Sequence, residues 1–231
     1  MRWLSLLLLA GCGDSSNGHI VDARAIDARP IDAPRDAPPD AKACPPLLVG
    51  GTDVLTQGWT VTQQAPATLS YGADYAELVT TTNGGALTGG QLLLVHAAAV
   101  PPGQPFTLRA ELQITAVNPH NQYDSGAAIL GSMSGGAGSQ TDRAEMIYID
   151  SDKIGWADDS ASAAHVLDTT AFHTYELAVD AGGVATVSLD GVALLTRASY
   201  TTTGTIAFGD QTNDPNVDGS MRIRSVAVLC P

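Results

Sequence analysis

The stretch Phe172-His173-Thr174-Tyr175-Glu176-Leu177-Ala178-Val179-Asp180 is followed by Val184-Ala185-Thr186-Val187-Ser188-Leu189-Asp190-Gly191. In the first run Tyr175, Leu177 and Val179 alternate with Glu176 and Ala178, the period of a strand with one buried face. The second run ends at Asp190-Gly191, two residues that accept the positive φ of a tight hairpin turn, and Val192 to Arg197 returns. Working outward, Phe106, Leu108, Ala110, Leu112 and Ile114 alternate with Thr107, Arg109, Glu111 and Gln113. Shorter runs recur at Val54–Val61, Ala67–Tyr71, Tyr75–Thr81, Gln91–His96, Ala127–Met133, Ala144–Ile149, Lys153–Trp156, Thr205–Phe208 and Met221–Leu229. Gly, Asn, Asp and Pro separate them, and no long stretch carries a helical period. This pattern predicts an all-β, two-sheet antiparallel jelly-roll sandwich over residues 44–231, without helices.

The segments before residue 44 read differently. Arg2 followed by the apolar run Leu4 to Leu9 is a secretory signal pattern, too short to span a bilayer. Leu9-Ala10-Gly11-Cys12 resembles the bacterial lipobox. That resemblance implies a lipoprotein signal peptide over 1–11 and lipidation of Cys12, whose acyl chains anchor at ~0.8 kcal/mol per buried CH₂. Residues 12–43 repeat Asp-Ala at Asp22, Asp27, Asp32, Asp36 and Asp40, broken by Pro30, Pro34, Pro38 and Pro39. This composition predicts a disordered tether that reaches ~95 Å at ~3.1 Å per residue when extended. The expected location is the cell envelope, periplasmic or surface-exposed, with the membrane engaged through the lipid.

The chain has 231 residues, with Lys+Arg 11 against Asp+Glu 24 and a net charge of -13. Eighteen acids and six bases fall in residues 44–231, so the negative charge belongs to the expected fold. Such a surface repels anionic polymers and excludes a nucleic-acid binder that works by neutralising phosphates.

The run from Phe172 to Gly191, continued by Gly204-Thr205-Ile206-Ala207-Phe208-Gly209-Asp210 and the final strand Met221–Leu229, resembles the concanavalin A-like lectin/glucanase superfamily in its laminin G-like form. The likeness covers residues 170–230. It implies a bent jelly roll and says nothing specific about activity. Glucanases of that superfamily place carboxylates in a Glu-x-Asp-x-x-Glu pattern on one strand. Here Glu145 and Asp150 are five positions apart and would face opposite sides of a strand. Glu111 has no acidic partner two positions on, and no Ser-His-Asp elbow, P-loop or His-x-x-x-His pair is present. The pattern therefore argues against an enzyme.

Once Cys12 is lipidated, Cys44 and Cys230 remain as an even pair at the two ends of the domain. In an exported chain this suggests a disulfide, with two free thiols as the other reading. Residues 210–219 gather Asp210, Asn213, Asp214, Asn216 and Asp218. These oxygens could hold Ca²⁺, although the same residue types build ordinary turns and the closing Glu of an EF-hand is missing. For a sugar, Trp156 is the best stacking platform, with Asp152 and Asp158 beside it; the alternative is a Trp buried in the core. His120 and Tyr123, in the polar loop 118–124, complete the candidate ligand-binding set, whereas His173 and Tyr175 read as core. Together these features predict a lipid-anchored, non-catalytic module that binds carbohydrate. A structural or protein-interaction surface lipoprotein is the alternative, and a glycan hydrolase is a third.

Overall fold

The computed structural model describes residues 44–81, 90–134 and 138–229. Cys12, the tether and Cys230 lie outside the described residues. The described residues all belong to one compact unit that begins at residue 39. In chain order the strands are β1 (Leu48–Val49), β2 (Thr60–Gln63), β3 (Thr68–Tyr71), β4 (Ala76–Val79), β5 (Leu92–His96), β6 (Phe106–Val117), β7 (Ala128–Leu130), β8 (Ile147–Ile149), β9 (Lys153–Trp156), β10 (Ser162–Ala164), β11 (His173–Val179), β12 (Ala185–Leu189), β13 (Val192–Arg197), β14 (Ile206–Asp210) and β15 (Gly219–Leu229).

They form two antiparallel sheets. The larger runs β13-β12-β11-β6-β15-β4-β3, with β1 paired to β15. The smaller runs β10-β9-β8-β7-β14-β5-β2. Strand β6 is central to the larger sheet. It pairs with β11 through Leu108↔Leu177 and Leu112↔His173, and with β15 through Leu108↔Val228 and Leu112↔Ile223. The expected two-sheet sandwich is therefore present.

The two sheets bury their residues differently, and this decides where a site can lie. On the larger sheet the alternation is clean: Leu108, Ala110, Leu112 and Ile114 of β6, Tyr175 and Leu177 of β11 and Ile223 of β15 point into the core. Their odd-numbered or even-numbered neighbours, such as Arg109, Glu176 and Arg222, face outward. The smaller sheet is buried on both sides. Leu92, Leu94, Ile129, Ile147 and Phe208 join the main core, while Leu93, Leu130, Tyr148 and Ala207 join a second apolar cluster on the opposite face. Strands covered on both faces lose their alternation and read as continuous apolar runs, as Leu92-Leu93-Leu94-Val95 does. The open sheet is thus the larger one.

Local details correct the expected elements. A short helix α1, Gln140–Ala144, stands where only strand and turn were expected. Ser139 and Asp142 start it with a reciprocal capping box, in which each side chain satisfies the other's backbone N–H. The run at Val54 opens with a 3₁₀ turn, Val54–Gln57, capped by the Asp53 carboxylate, and its strand begins only at Thr60. Strand β10 was not anticipated. The turn Asp190-Gly191 is as expected: φ is 49° and 80°, the positive pair of a tight hairpin. Asp190 also accepts from Thr174 N at 2.9 Å and lies 2.7 Å from His173 Nδ1, tying the hairpin to the start of β11.

Candidate functional site

The outward face of the larger sheet carries a groove of about 790 Å³ where β3, β4, β15 and the end of β6 meet two loops. Its floor is set by strand parity. Met221 and Ile223 of β15 are buried in the core, so Ser220 and Arg222 face out. Leu78 of β4 is buried likewise, so Glu77 and Val79 face out beside them. The register places Arg222 between Glu77 and Gln113. Arg222 Nε donates to Glu77 Oε1 at 2.7 Å, and its Nη1 reaches Gln113 Oε1 at 3.4 Å. Gln113 in turn donates through Nε2 to the Thr169 carbonyl at 2.8 Å, which holds one wall of the groove. Thr68 of β3, with Asn118, Ser151 and Leu167 from loops, supplies the rest of the rim. The side chains of Thr68, Asn118, Ser151, Thr169 and Ser220 form no hydrogen bond among the described residues. Thr68, Ser151 and Thr169 are exposed and Asn118 is half-buried, so their donors and acceptors are open to a ligand, whereas Ser220 lies largely buried in the floor.

Two aromatic rings adjoin this face, and both are covered. Arg222 lies over the Tyr75 ring at 4.7 Å, and Arg224 over Phe172 at 3.8 Å. Tyr75 also packs against Gly72, where a Cβ would come within 2.3 Å of the ring. The arrangement can hydrogen-bond a ligand but has little aromatic face to stack on it.

The sequence-based candidates do not come together in one site. Trp156, expected as a platform, is 0% exposed and sits in the core. It ends β9, a strand of the doubly buried sheet. Its Nε1 points to the Thr196 carbonyl at 3.4 Å. Tyr123 contributes its carbonyl, which accepts from Arg143 Nε and Gln211 Nε2, each at 2.9 Å. Asp158 is paired with Arg197 at 2.9 Å. Burial opposes its ionisation, but hydrogen bonds from Arg197 and Ser160 outweigh it and hold the carboxyl below its usual range. Asp152 is exposed, next to Ser151 of the groove rim.

His120 serves the groove indirectly. Its ring nitrogens lie 2.8 Å from Asp150 Oδ2 and 2.9 Å from Asp159 Oδ1, and its backbone N–H donates to Asp150 Oδ1 at 2.9 Å. The ring is stacked on Tyr148 with centroids 3.5 Å apart. This clamp joins the loop carrying Asn118 to the turn carrying Ser151. His120 is therefore a positioning residue, too enclosed at 6% side-chain exposure to grip a ligand itself.

Of the proposed calcium ligands, Asp214 is engaged in hydrogen bonds of the loop. Asp214 accepts from Asn216 N and Nδ2, at 2.9 and 2.8 Å, and from Asn121 Nδ2 at 2.7 Å. Asn213 and Asn216 are exposed, whereas Asp210 and Asp218 are buried. Burial pushes the Asp210 carboxyl up to about 8, against hydrogen bonds from Thr80 and Thr212 and with help from the charges of Asp218 and Asp124. Among the described residues, no group of three or more His, Cys, Asp or Glu side chains is placed to hold a metal ion. Glu145 and Asp150, weighed as a carboxylate pair, serve different partners: Glu145 accepts from Thr201 N and Oγ1, and Asp150 holds His120.

A smaller cleft of about 400 Å³ lies beside the loop at 211–214. Its polar atoms are largely used internally. Gln91 donates to the Gln211 carbonyl at 2.6 Å, and Gln211 donates to Asp124 Oδ1 at 3.0 Å.

No family model matches the chain, and no curated protein matches it. Solved structures do. A carbohydrate esterase from the Shiga toxin-encoding bacteriophage phi24B superposes with a TM-score of 0.51 at 13% identity, over 81% of this chain and 99% of that one. A mutant of the Emp46p carbohydrate recognition domain superposes with a TM-score of 0.51 at 13% identity, over 83% of this chain and 97% of that one. At this identity the likeness concerns the backbone. It bears out, at the level of fold, the two-sheet antiparallel sandwich expected over residues 44–231.

Proposed function

We propose that this protein is a non-catalytic carbohydrate-binding module, held at the cell envelope by a lipid on Cys12, and that the groove on the larger sheet receives the glycan. The observation that carries this reading is the groove itself. Four uncommitted hydroxyl and amide side chains, Thr68, Asn118, Ser151 and Thr169, surround the Glu77–Arg222 pair on the one sheet face left open by the fold. Sugars present closely spaced hydroxyls that both donate and accept, and such a surface answers them with both kinds of group. The shared fold of a carbohydrate recognition domain supports the same reading. So does the composition of the groove: among the described residues that line it there is no His, Cys or Lys, and Glu77 is the only carboxylate. Glycoside hydrolysis needs two carboxyl groups, about 5–5.5 Å apart in retaining enzymes.

Cys44 lines one cleft together with Val228 and Leu229. The next residue is Cys230, and we propose that the two cysteines pair, closing the domain where the tether leaves it. Peptide mapping under non-reducing conditions should recover the 44–230 cross-link, whereas two alkylated thiols would refute it.

Binding of polysaccharides to the full chain tests the main reading, with calcium and with a chelator as separate arms. Thr115→Trp, which fills the groove, should lower affinity at least tenfold, while Asn213→Ala in the smaller cleft should leave it unchanged. Equal affinity for the Thr115→Trp variant would move the site elsewhere. Turnover of the polysaccharide would refute the non-catalytic assignment.

A further inference from the structure

We infer that the groove selects uncharged glycans and rejects acidic ones, because the fold leaves every Lys and Arg of the domain paired with an acid. This inference rests on the carbohydrate-binding reading and adds the class of sugar to it.

Residues 44–231 contain six basic side chains, and each is in an ion pair. Arg109 pairs with Glu176 at 2.7 Å, Arg197 with Asp158 at 2.9 Å, Arg222 with Glu77 at 2.7 Å and Arg224 with Asp74 at 2.9 Å. Arg143 pairs with Asp124, and Lys153 stands 4.0 Å from Asp150. The acids outnumber the bases three to one, so the domain carries a large net negative charge. A uronate or sulfate entering the groove would meet the Glu77 carboxylate. The charge of Arg222 is already offset by Glu77 at 2.7 Å, so an acid gains less at this guanidinium than at a free one. Arg224 and Arg222 are further occupied by lying over Phe172 and Tyr75.

A neutral sugar meets no such opposition. The Glu77–Arg222 pair presents an acceptor and a donor side by side. One hydroxyl of a vicinal diol can donate to the carboxylate while its neighbour accepts from the guanidinium, and charged partners make these the stronger hydrogen bonds. Gln113, behind Arg222, keeps the guanidinium in place. With both adjoining rings covered, the groove reads hydroxyl geometry and offers little stacking. Ion pairing at Glu77 is therefore the gate: freeing Arg222 should admit an acid.

Affinity electrophoresis of the full chain at low salt tests this, in gels cast with one polysaccharide each. Neutral probes are β-glucan, xylan, galactomannan and amylopectin; acidic probes are alginate, polygalacturonate and heparin. Wild type should be retarded by at least one neutral polymer and by none of the acidic ones. Glu77→Gln should gain retardation by an acidic polymer, with at least tenfold higher affinity than wild type. Asp74→Asn, at an exposed pair that the fold does not depend on, should gain a smaller increase through Arg224. Retardation of wild type by the acidic polymers would overturn the selectivity while leaving carbohydrate binding intact. Folded Glu77→Gln and Asp74→Asn that both gain nothing would overturn the gate. Retardation by no polymer at all would overturn the carbohydrate-binding reading and this inference with it.

Discussion

Asp210 shows how one buried acid can set the pH response of the domain. Burial raises its folded-state pKa to about 8, while an unfolded Asp titrates near ~3.9. Between those values the folded state holds a proton that the unfolded state has released. This group's contribution to stability is therefore full below pH 4 and is lost as pH rises through 8, by up to ~1.4 kcal/mol per pH unit. Asp210→Asn keeps the shape and removes the charge. Denaturant unfolding at several pH values should find the variant more stable than wild type at pH 8 and closer to it at pH 5; a parallel pH profile would contradict this. Trp156 makes a second point at this scale. Its flanks, Gly155 and the Asp158-Asp159 pair, look in the sequence like the setting of an exposed platform. They are a close approach and a turn at the end of a buried strand. Exposure of an aromatic cannot be read when the strand that carries it is covered on both faces. Trp156→Ala should cost ~3–5 kcal/mol, the range for emptying an aromatic site in a core, measured as a shift in the unfolding midpoint.

At the scale of elements, the strands of the larger sheet were legible because one face meets water and the alternation survives. Helix α1 was not, since a single turn carries no period, although Ser139 and Asp142 in the sequence were its capping signal. Two glycines on different elements should respond differently to the same change. Gly191 has φ of 80° and open space around its missing side chain, so Gly191→Ala meets only backbone strain, ~1 kcal/mol. A Cβ on Gly155 would come within 2.5–2.7 Å of the Tyr148 phenol. Tyr148 is itself held by the stacked His120 ring, so Gly155→Ala must push that ring and disturb the clamp. Thermal unfolding should rank Gly155→Ala clearly below Gly191→Ala, and the reverse order would contradict the packing described for β8 and β9. The clamp makes its own prediction. His120→Ala removes the ring that Asp150 and Asp159 share, though Asp150 keeps Lys153 and the backbone N–H of residue 120. It should cost ~1–3 kcal/mol, the range for leaving a buried acceptor without its hydrogen bond. It should also weaken glycan binding by loosening the Asn118 and Ser151 rim.

The groove exists only at the scale of the whole molecule. Its residues come from positions as far apart as Thr68 and Arg222, and strand order, not sequence proximity, brings them together. The local clusters that stand out in the sequence, such as 118–124 and 210–219, are tied mainly to each other and to neighbouring turns, as Asn121 is to Asp214 and His120 to Asp150 and Asp159, and only Asn118 of the two lines the groove. The acidic balance of residues 44–231 was legible from composition. That every base would be tied into a pair was not, because pairing depends on register, as Glu77, Arg222 and Gln113 show.

The account turns on ligand occupying the open face of the larger sheet. Backbone amide shifts of the isotope-labelled chain, followed by NMR as a neutral oligosaccharide is added, locate that contact directly. The account predicts that the perturbed amides cluster at Thr68, Glu77, Thr115, Ser220 and Arg222. Perturbations confined to residues 211–214 and the far side of the smaller sheet would contradict it.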